Sequence, residues 1–577
     1  MGLRICLVTP FSWSQPHDVN EHVAGAAGAL RDLGHEVTVL APSNRAADLL
    51  AGRRALQDGG RPDVIALGPA VPISRRSRIG LPVGVRANLA LALARGDFDV
   101  VHGFEPGLPS LSYLALRDTR SLAVATFFSP DRLGYPPGRT QRKRLLARID
   151  ALLSTSVGTA SAADVRFPGE YHIVPLGVDT GVFAPGDKRK LAVCEWRVGE
   201  RALTRAVISV FKELPDWELV LLRTKPLSGR PSIPLSLRDR VRVRTGASSA
   251  ARAPLLNESQ IFVPAISGLA RVELEGRAAG NAIAAPPGVV AQPALAAAAL
   301  ARLAENDALR TSGQEEARRL AESESFAELG RRLDEVYRGL SGRRRARSRR
   351  QDPLSNRPWI VGDLHMHTSW SHDCLVDPEE LVDQAEEERL GAIAVTDHNA
   401  FGGALEAVEL ARNRALTVIP GEEIKTAGQG EVIGLFLKEE IPRGLTFADT
   451  IAAIREQGGL VYLPHPFDRM HAIPDAATLH KHLAEIDVFE VYNARLLFEQ
   501  YNDEAMRFAR KYNLTMGAGS DAHVLQGLGT GGLRMRAFRD PEEFLVSLRS
   551  AEILRRPRSL AYLQALKWKA QVKERVR

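Results

Sequence analysis

The chain has only three cysteines in 577 residues: Cys6, Cys194 and Cys374. Odd in number and widely spaced, they exclude a disulfide framework, and no Cys-x-x-Cys pair points to a structural zinc site. Long apolar runs are also missing. No stretch reaches the roughly 18 apolar residues of a membrane helix, so no span is expected. The N-terminal MGLRICLVTPFSW has one basic residue and a short apolar run before Pro10, which reads as a first β-strand rather than a signal peptide. A reducing, cytoplasmic setting is the expectation.

The length calls for several domains. A content of 45% hydrophobic and 25% charged residues is that of a soluble globular protein. The formal charge of +7 is unevenly spread. Arginines fill most of Arg343–Arg350, and the stretch Arg555–Arg577 is basic again. Such runs are solvated linkers and helices, or else contacts to nucleic acid, acidic lipid or a phosphorylated polymer.

From the N-terminus, Arg4–Thr9 reads as a buried strand, Val19–Leu33 as a helix stopped by Gly34, and Glu36–Leu40 as a second strand. This is a βαβ unit of an open parallel sheet. The alternation continues, and a new series begins after Pro185. The economical reading is two Rossmann-like halves, residues 1–165 and 166–340, the latter ending in helices at Ala294–Asn306 and Glu315–Leu340. A basic linker (341–357) follows, with no hydrophobic periodicity.

GHEVTVLAP (34–42), FDVVHGFEP (98–106), VPLGVDTGVFAPG (174–186) and VELEGRAAGNAI (272–283) resemble retaining GT-B glycosyltransferases, which clamp a sugar nucleotide between two such halves. The resemblance implies two donor-holding glutamates eight positions apart. Glu275 fills the second position, as a candidate cofactor-binding residue, whereas Ser267 falls at the first. A basic pair that would neutralise the donor diphosphate is replaced by Gly199 and Glu200, with Arg197 and Arg201 nearby. An expected glycine pair in the first loop reads His17-Asp18. The implied module has the fold without the transferase site.

The second half opens on GDLHMHTSWSHD (362–373). Residues i and i+2 of a strand share a face, so His365 and His367 can approach one ion. Further apolar strands finish in Asp397-His398, Glu422-Glu423, His465, Asn493, and Asp521 with His523, while Glu431 stands at a strand start. Helical patterns lie between them. Polar groups at successive strand ends are what a β/α barrel directs onto one face.

The motifs HMH, TDH, PGEE, PHP and GSDAH over about 358–550 resemble the polymerase-and-histidinol-phosphatase (PHP) family. The resemblance implies an α/β chain: two Rossmann-like halves in a GT-B arrangement, then a distorted (β/α)7 PHP barrel. It implies two or three divalent ions (Zn, Mn, Fe or Mg) and phosphoester hydrolysis by metal-activated water. His365, His367, Glu423 and Asp521 would hold the first ion and carry catalysis. Glu423 would bridge to a second ion, with His465 and Glu431. Asp373, His398 and His523 would hold a third, with His372 a bystander. Arg469, His471 and Arg495 are candidate substrate-phosphate ligands.

The implied function is a metal-dependent phosphoesterase fused to an inactive glycosyltransferase-like module. Its substrate would be a phosphorylated small molecule or, in a 5′→3′ exonuclease or nucleotide phosphatase, a short oligonucleotide. The alternatives are an active GT-B glycosyltransferase with the barrel as accessory, or a non-catalytic scaffold. A sugar nucleotide or glycan is the partner implied for the first module, and no stable protein partner is legible. Residues 551–577 form a basic tail in which Leu560, Leu563, Leu566 and Trp568 suggest one apolar helix face, for packing on the barrel or for an anionic membrane surface.

Overall fold

Strand and helix alternate from the start: Arg4–Val8 is a buried strand, Asp18–Asp32 a helix, and Glu36–Ala41 a strand parallel to the first. In the helix Val19, Val23, Ala26, Ala27 and Leu30 recur at three- and four-residue spacing and are buried. The His17 side chain accepts from Val19 N–H at its N-terminus, where Asp18 and Glu21 suit the helix dipole.

This computed structural model describes residues 2–74, 77–79, 85–197, 199–224, 229, 231–265, 270–284, 292–342, 353–470, 473–556 and 558–576. The arginine run Arg343–Arg350, Ser267 and His471 lie outside them. The chain divides into two units, Met1–Ser341 and Gly342–Arg577. Among the described residues, no helix is long and apolar enough to cross a membrane. Cys6, Cys194 and Cys374 are buried and free.

The first unit holds two parallel sheets. One orders its strands Val64–Ala66, Glu36–Ala41, Arg4–Val8, Val100–Phe104, Leu122–Phe127, Ala151–Ser154, Tyr171–Ile173. It therefore runs past the boundary expected at residue 165. The other orders Val241–Thr245, Glu218–Arg223, Leu191–Trp196, Ile261–Val263, Ala282–Ile283. Both are Rossmann-like, with the first strand in the interior and buried on both faces.

The single helix expected at Glu315–Leu340 is two, Asp307–Glu322 and Phe326–Ser341. Backbone pairing breaks it: Val178 N–H donates to Glu324 O, and Phe326 N–H donates to Val178 O. The second piece returns to the first sheet's helices. Buried Tyr337 meets His102 Nδ1 at 2.6 Å, and Gly330 passes so close to Ala29 that an added Cβ would lie 2.8 Å from it.

In the second unit seven strands follow one another in order: Trp359–Met366, Ala392–His398, Thr417–Lys425, Glu431–Leu435, Leu460–Leu463, Val488–Asn493 and Thr515–Gly519. All pair in parallel except Glu431–Leu435, which runs antiparallel to both neighbours. The first strand and the peptide after the seventh close the ring through Asp521 N–H to His365 O and His367 N–H to Ala522 O. Gly531–Arg536 and Glu552–Arg555 extend the sheet antiparallel from the first strand. Leu364, Ala394, Ile419, Ile433 and Tyr462 lie in the core of this unit. The flanking helix Pro378–Glu387 starts at an Asp377 cap with Pro378 in its first turn, and Pro541–Arg549 starts in the same way at Asp540.

Glu105 follows the strand Val100–Phe104 with φ of +52°. Burial pushes its carboxyl up to about 8, against the pull of Arg132 3.1 Å away. Burial drives neighbouring His22 and His102 down to about 3. Above pH ~7.5 these histidines are neutral in both folded and unfolded chains. Between there and pH 8 folded Glu105 binds a proton that the unfolded chain releases, so its contribution is lost as pH rises, by at most about 1.4 kcal/mol per pH unit. Glu105→Gln is expected to flatten the fall of melting temperature from pH 7.5 to 8.5, measured against wild type.

Candidate metal centre

The barrel's polar residues come together at one end because each ends a strand or lies in the loop beyond it. His365 is near the end of the first strand and His367 just past it; His398 ends the second, and Glu423 lies near the end of the third. The fourth strand is reversed, so Glu431, at its start, lies at the end where the others finish. His465 and Asp521 each stand two residues past a strand with positive φ, +26° and +52°. Non-glycine residues enter that region at a cost, and such strain gathers at functional sites.

Glu423 is the hub. Its Oε2 lies 3.1 Å from His398 Nδ1, 3.3 Å from His365 Nε2 and 3.5 Å from His367 Nε2, while Oε1 is 3.1 Å from His465 Nε2. Asp521 Oδ1 lies 3.4 Å from His367 Nε2 and 3.9 Å from His365 Nε2. His465 Nε2 is 3.8 Å from Glu431 Oε2. Asp373 Oδ2 is 2.9 Å from His523 Nε2, and its Oδ1 is 3.9 Å from His398 Nε2. Donor groups of ion-binding size are His365–His367–Asp521, His365–Glu423–His465, His367–His398–His523 and His398–Glu423–Glu431. His398 thus stands between the expected second and third ligand sets.

Burial opposes charge on Glu423, Asp521, His365 and His465, and there the partners override it. Glu423 and Asp521 are held well below the usual carboxylate range despite burial, by His398 and His365 and by Arg495 and His365 respectively. Burial would lower His365, yet Asp521, Glu423 and Glu490 hold it well above an ordinary imidazole. His465 rises to about 9 against burial, through Glu423. For His367 burial wins, helped by His523, and it falls well below.

Two buried atoms in this cluster, His367 Nε2 and Asp373 Oδ1, have no hydrogen-bond partner. An unmet buried polar atom costs about 1–3 kcal/mol. A divalent ion would satisfy His367 Nε2, and mixed imidazole and carboxylate donors suit Zn, Mn or Fe. The residues present therefore fit a metal centre.

Supporting groups escaped the sequence reading. Glu490 Oε1 lies 3.1 Å from His365 Nδ1 and accepts from Tyr462 Oη at 2.8 Å, while Oε2 accepts from His465 N–H at 2.7 Å. It thereby turns His365 Nε2 inward, as carboxylates behind metal-bound histidines do. Asp397 accepts from Thr368 and Ser371, and the Ser371 hydroxyl meets His367 Nδ1 at 3.1 Å. The available signal for Glu490 was a lone charge inside the apolar strand Val488–Asn493.

Of the substrate candidates, Arg495 reaches the cluster, with Nη1 3.1 Å from Asp521 Oδ1 and 3.0 Å from His523 Nε2. Arg469 is instead exposed and faces Glu504 at 4.0 Å, because its loop turns outward over the helix Glu499–Tyr512. His372 is exposed. In the first unit Glu275 is fully buried and ion-paired to Arg252 at 2.5 Å and Arg271 at 3.3 Å. Both arginines also face Glu21, which accepts from Ser249 N–H at 2.8 Å. Arg197 pairs with Glu195 at 2.6 Å. At the expected glycine pair, His17 stacks on Phe11 with centroids 3.5 Å apart.

A barrel with this donor set defines the class of metal-dependent hydrolases. The Glycosyltransferase Family 4 model matches residues 19–182, the PHP domain model 363–512 and the PHP-associated model 499–553. An uncharacterized protein of Methanocaldococcus jannaschii is 34% identical over 206 residues, 33% of this chain and 81% of that protein. The phosphatidyl-myo-inositol mannosyltransferase of Propionibacterium freudenreichii is 31% identical over 208 residues, 35% of this chain and 52% of that enzyme. A solved structure from Bifidobacterium adolescentis, assigned as a metal-dependent phosphoesterase, aligns over 34% of this chain and 98% of its own at 18% identity, with a TM-score of 0.27. The chain belongs to the PHP family, its barrel preceded by a glycosyltransferase-like GT-B module.

Gly519 ends the seventh strand against the first. A Cβ there would lie 2.3 Å from His365 Cβ and 2.8 Å from its backbone N. Gly519→Ala is expected to push His365 out of place, destabilising the second unit by about 1–3 kcal/mol and lowering bound metal, read by elemental analysis of the purified protein.

Proposed function

We propose that the barrel hydrolyses a phosphomonoester or phosphodiester of a small molecule or short oligonucleotide, and that the GT-B module is not a working transferase. The observation that carries the first part is the convergence of buried His365, His367, His465 and His523 and half-buried His398 on Glu423, Asp521 and half-buried Asp373, with His367 Nε2 left unmet. His365, His367 and Asp521 would hold one ion with Glu423, and Glu423, His465 and Glu431 a second. Ions held there supply a Lewis acid that acidifies water and offsets phosphoryl charge. Glu490 fixes the imidazole of His365, and Ser371 that of His367. Arg495 lies beside Asp521 with its guanidinium on the cluster's edge, suited to a phosphoryl oxygen. The free, buried cysteines fit a reducing, cytoplasmic setting.

The second part rests on internal neutralisation. Glu275, Arg252, Arg271 and Glu21 are ion-paired with one another, although Arg271 Nε and Nη1 make no hydrogen bond; Arg197 pairs with Glu195, and His17 stacks on Phe11 in the first loop. A donor diphosphate would have to break buried ion pairs, each costly to open.

His365→Ala combined with His367→Ala is expected to lower turnover of a responsive phosphoester at least about a thousandfold (about 4 kcal/mol) while circular dichroism is unchanged; full activity would sink the assignment. A panel of nucleotides, sugar phosphates and short oligonucleotides identifies the substrate class. Calorimetric titration of the full chain with UDP- and GDP-sugars is expected to show no micromolar binding, and a micromolar dissociation constant would mean a surviving donor site.

A further inference from the structure

The C-terminal helix Leu560–Val576 does not present the apolar face read from its sequence. Leu563 and Leu566 are half-buried, but Trp568 is 69% exposed. At roughly 100° per residue Trp568 lies about 140° round the helix from Leu563 and cannot share its face. Lys567 follows Leu563 by four positions and points the same way, inward. Its Nζ sits 2.9 Å from Asp373 Oδ2, with the side chain only 14% exposed. Leu563, Gln564 and Lys567 line a cavity together with Arg495, Asp521 and His523.

The same Asp373 oxygen is thus met by Lys567 and by His523 Nε2, with Arg495 Nη2 at 3.9 Å. This is the carboxylate that would serve a third ion. Two fixed positive charges already stand beside it, and neither is well screened, since the Arg495 side chain is 29% exposed. A divalent ion entering here would meet an ammonium and a guanidinium at close range.

We propose that Lys567 takes the place of a third ion, so that the centre runs on two divalent ions and one lysine ammonium. The inference rests on reading the barrel as a metal centre. Lys567 and Arg495 then form a cationic edge that offsets phosphoryl charge where a third ion otherwise would. A different role makes the opposite prediction. If Lys567 only oriented Asp373 for an ion bound through its unmet Oδ1, removing the lysine would weaken that ion, typically 10–100-fold. If Lys567 occupies the position, removing it strengthens that ion.

Metal-stripped full-length protein titrated with Mn2+, with bound metal counted after desalting, separates the two. Wild type is expected to hold two ions per chain. Lys567→Ala is expected to gain a third, bound at least tenfold tighter than any third ion in wild type, and Lys567→Arg to stay at two. Lys567→Met keeps the apolar stem and serves if the alanine variant melts early. Adding Asp373→Asn to Lys567→Ala is expected to return the count to two. Three tight ions in wild type, an unchanged count in Lys567→Ala and Lys567→Met, or a weakened third ion would each overturn the proposal while leaving the metal centre standing. Wild type that binds no ion overturns the metal centre, and this inference with it.

Discussion

A carboxylate taken out of water must be met by positive charge, and Glu423 is met by four imidazoles: His365, His367 and His398 on one oxygen, His465 on the other. Leaving such a group unpaired costs several kcal/mol, so the three strand ends that supply these rings are tied to one point. The tie extends outward. Glu490 holds His365 from behind and receives the His465 backbone, and Asp521 reaches His367 from the strand that closes the ring.

Geometry at the ring closure makes that arrangement possible. The first strand and the peptide after the seventh share hydrogen bonds through His365 and Asp521, and Gly519 is small because His365 lies against it. The left-handed backbone at His465 and Asp521 aims their side chains back over the strand ends. Reversal of Glu431–Leu435 serves the same end, since it alone lets a residue at a strand's beginning join the polar face.

In the first unit the charged residues near the expected donor positions pair with one another. Both sheets are complete and their cores are apolar. Glu21 from the first half meets Arg252 and Arg271 from the second. Such pairs support the reading of a module kept for structure or recognition, because burying charge is tolerable only when it is compensated.

Much of this was legible in the order of residues. Apolar runs and helical spacing marked most strands and several helices, and the barrel motifs pointed to the side chains that gather at the strand ends. The break at Glu322–Phe326 was not legible, since the helix is interrupted by pairing with distant Val178. Nor were Glu490, a lone acid in an apolar strand, or the outward turn of Arg469. Lys567 was read as one charge among many in a basic tail. By itself the sequence determined the kind of fold and which polar residues stand at its strand ends, because those depend on residue type and local period. Only the tertiary structure decided which oxygen faces which ring, and that a lysine almost two hundred residues from Asp373 in sequence is its neighbour in space, because those depend on how distant strands close.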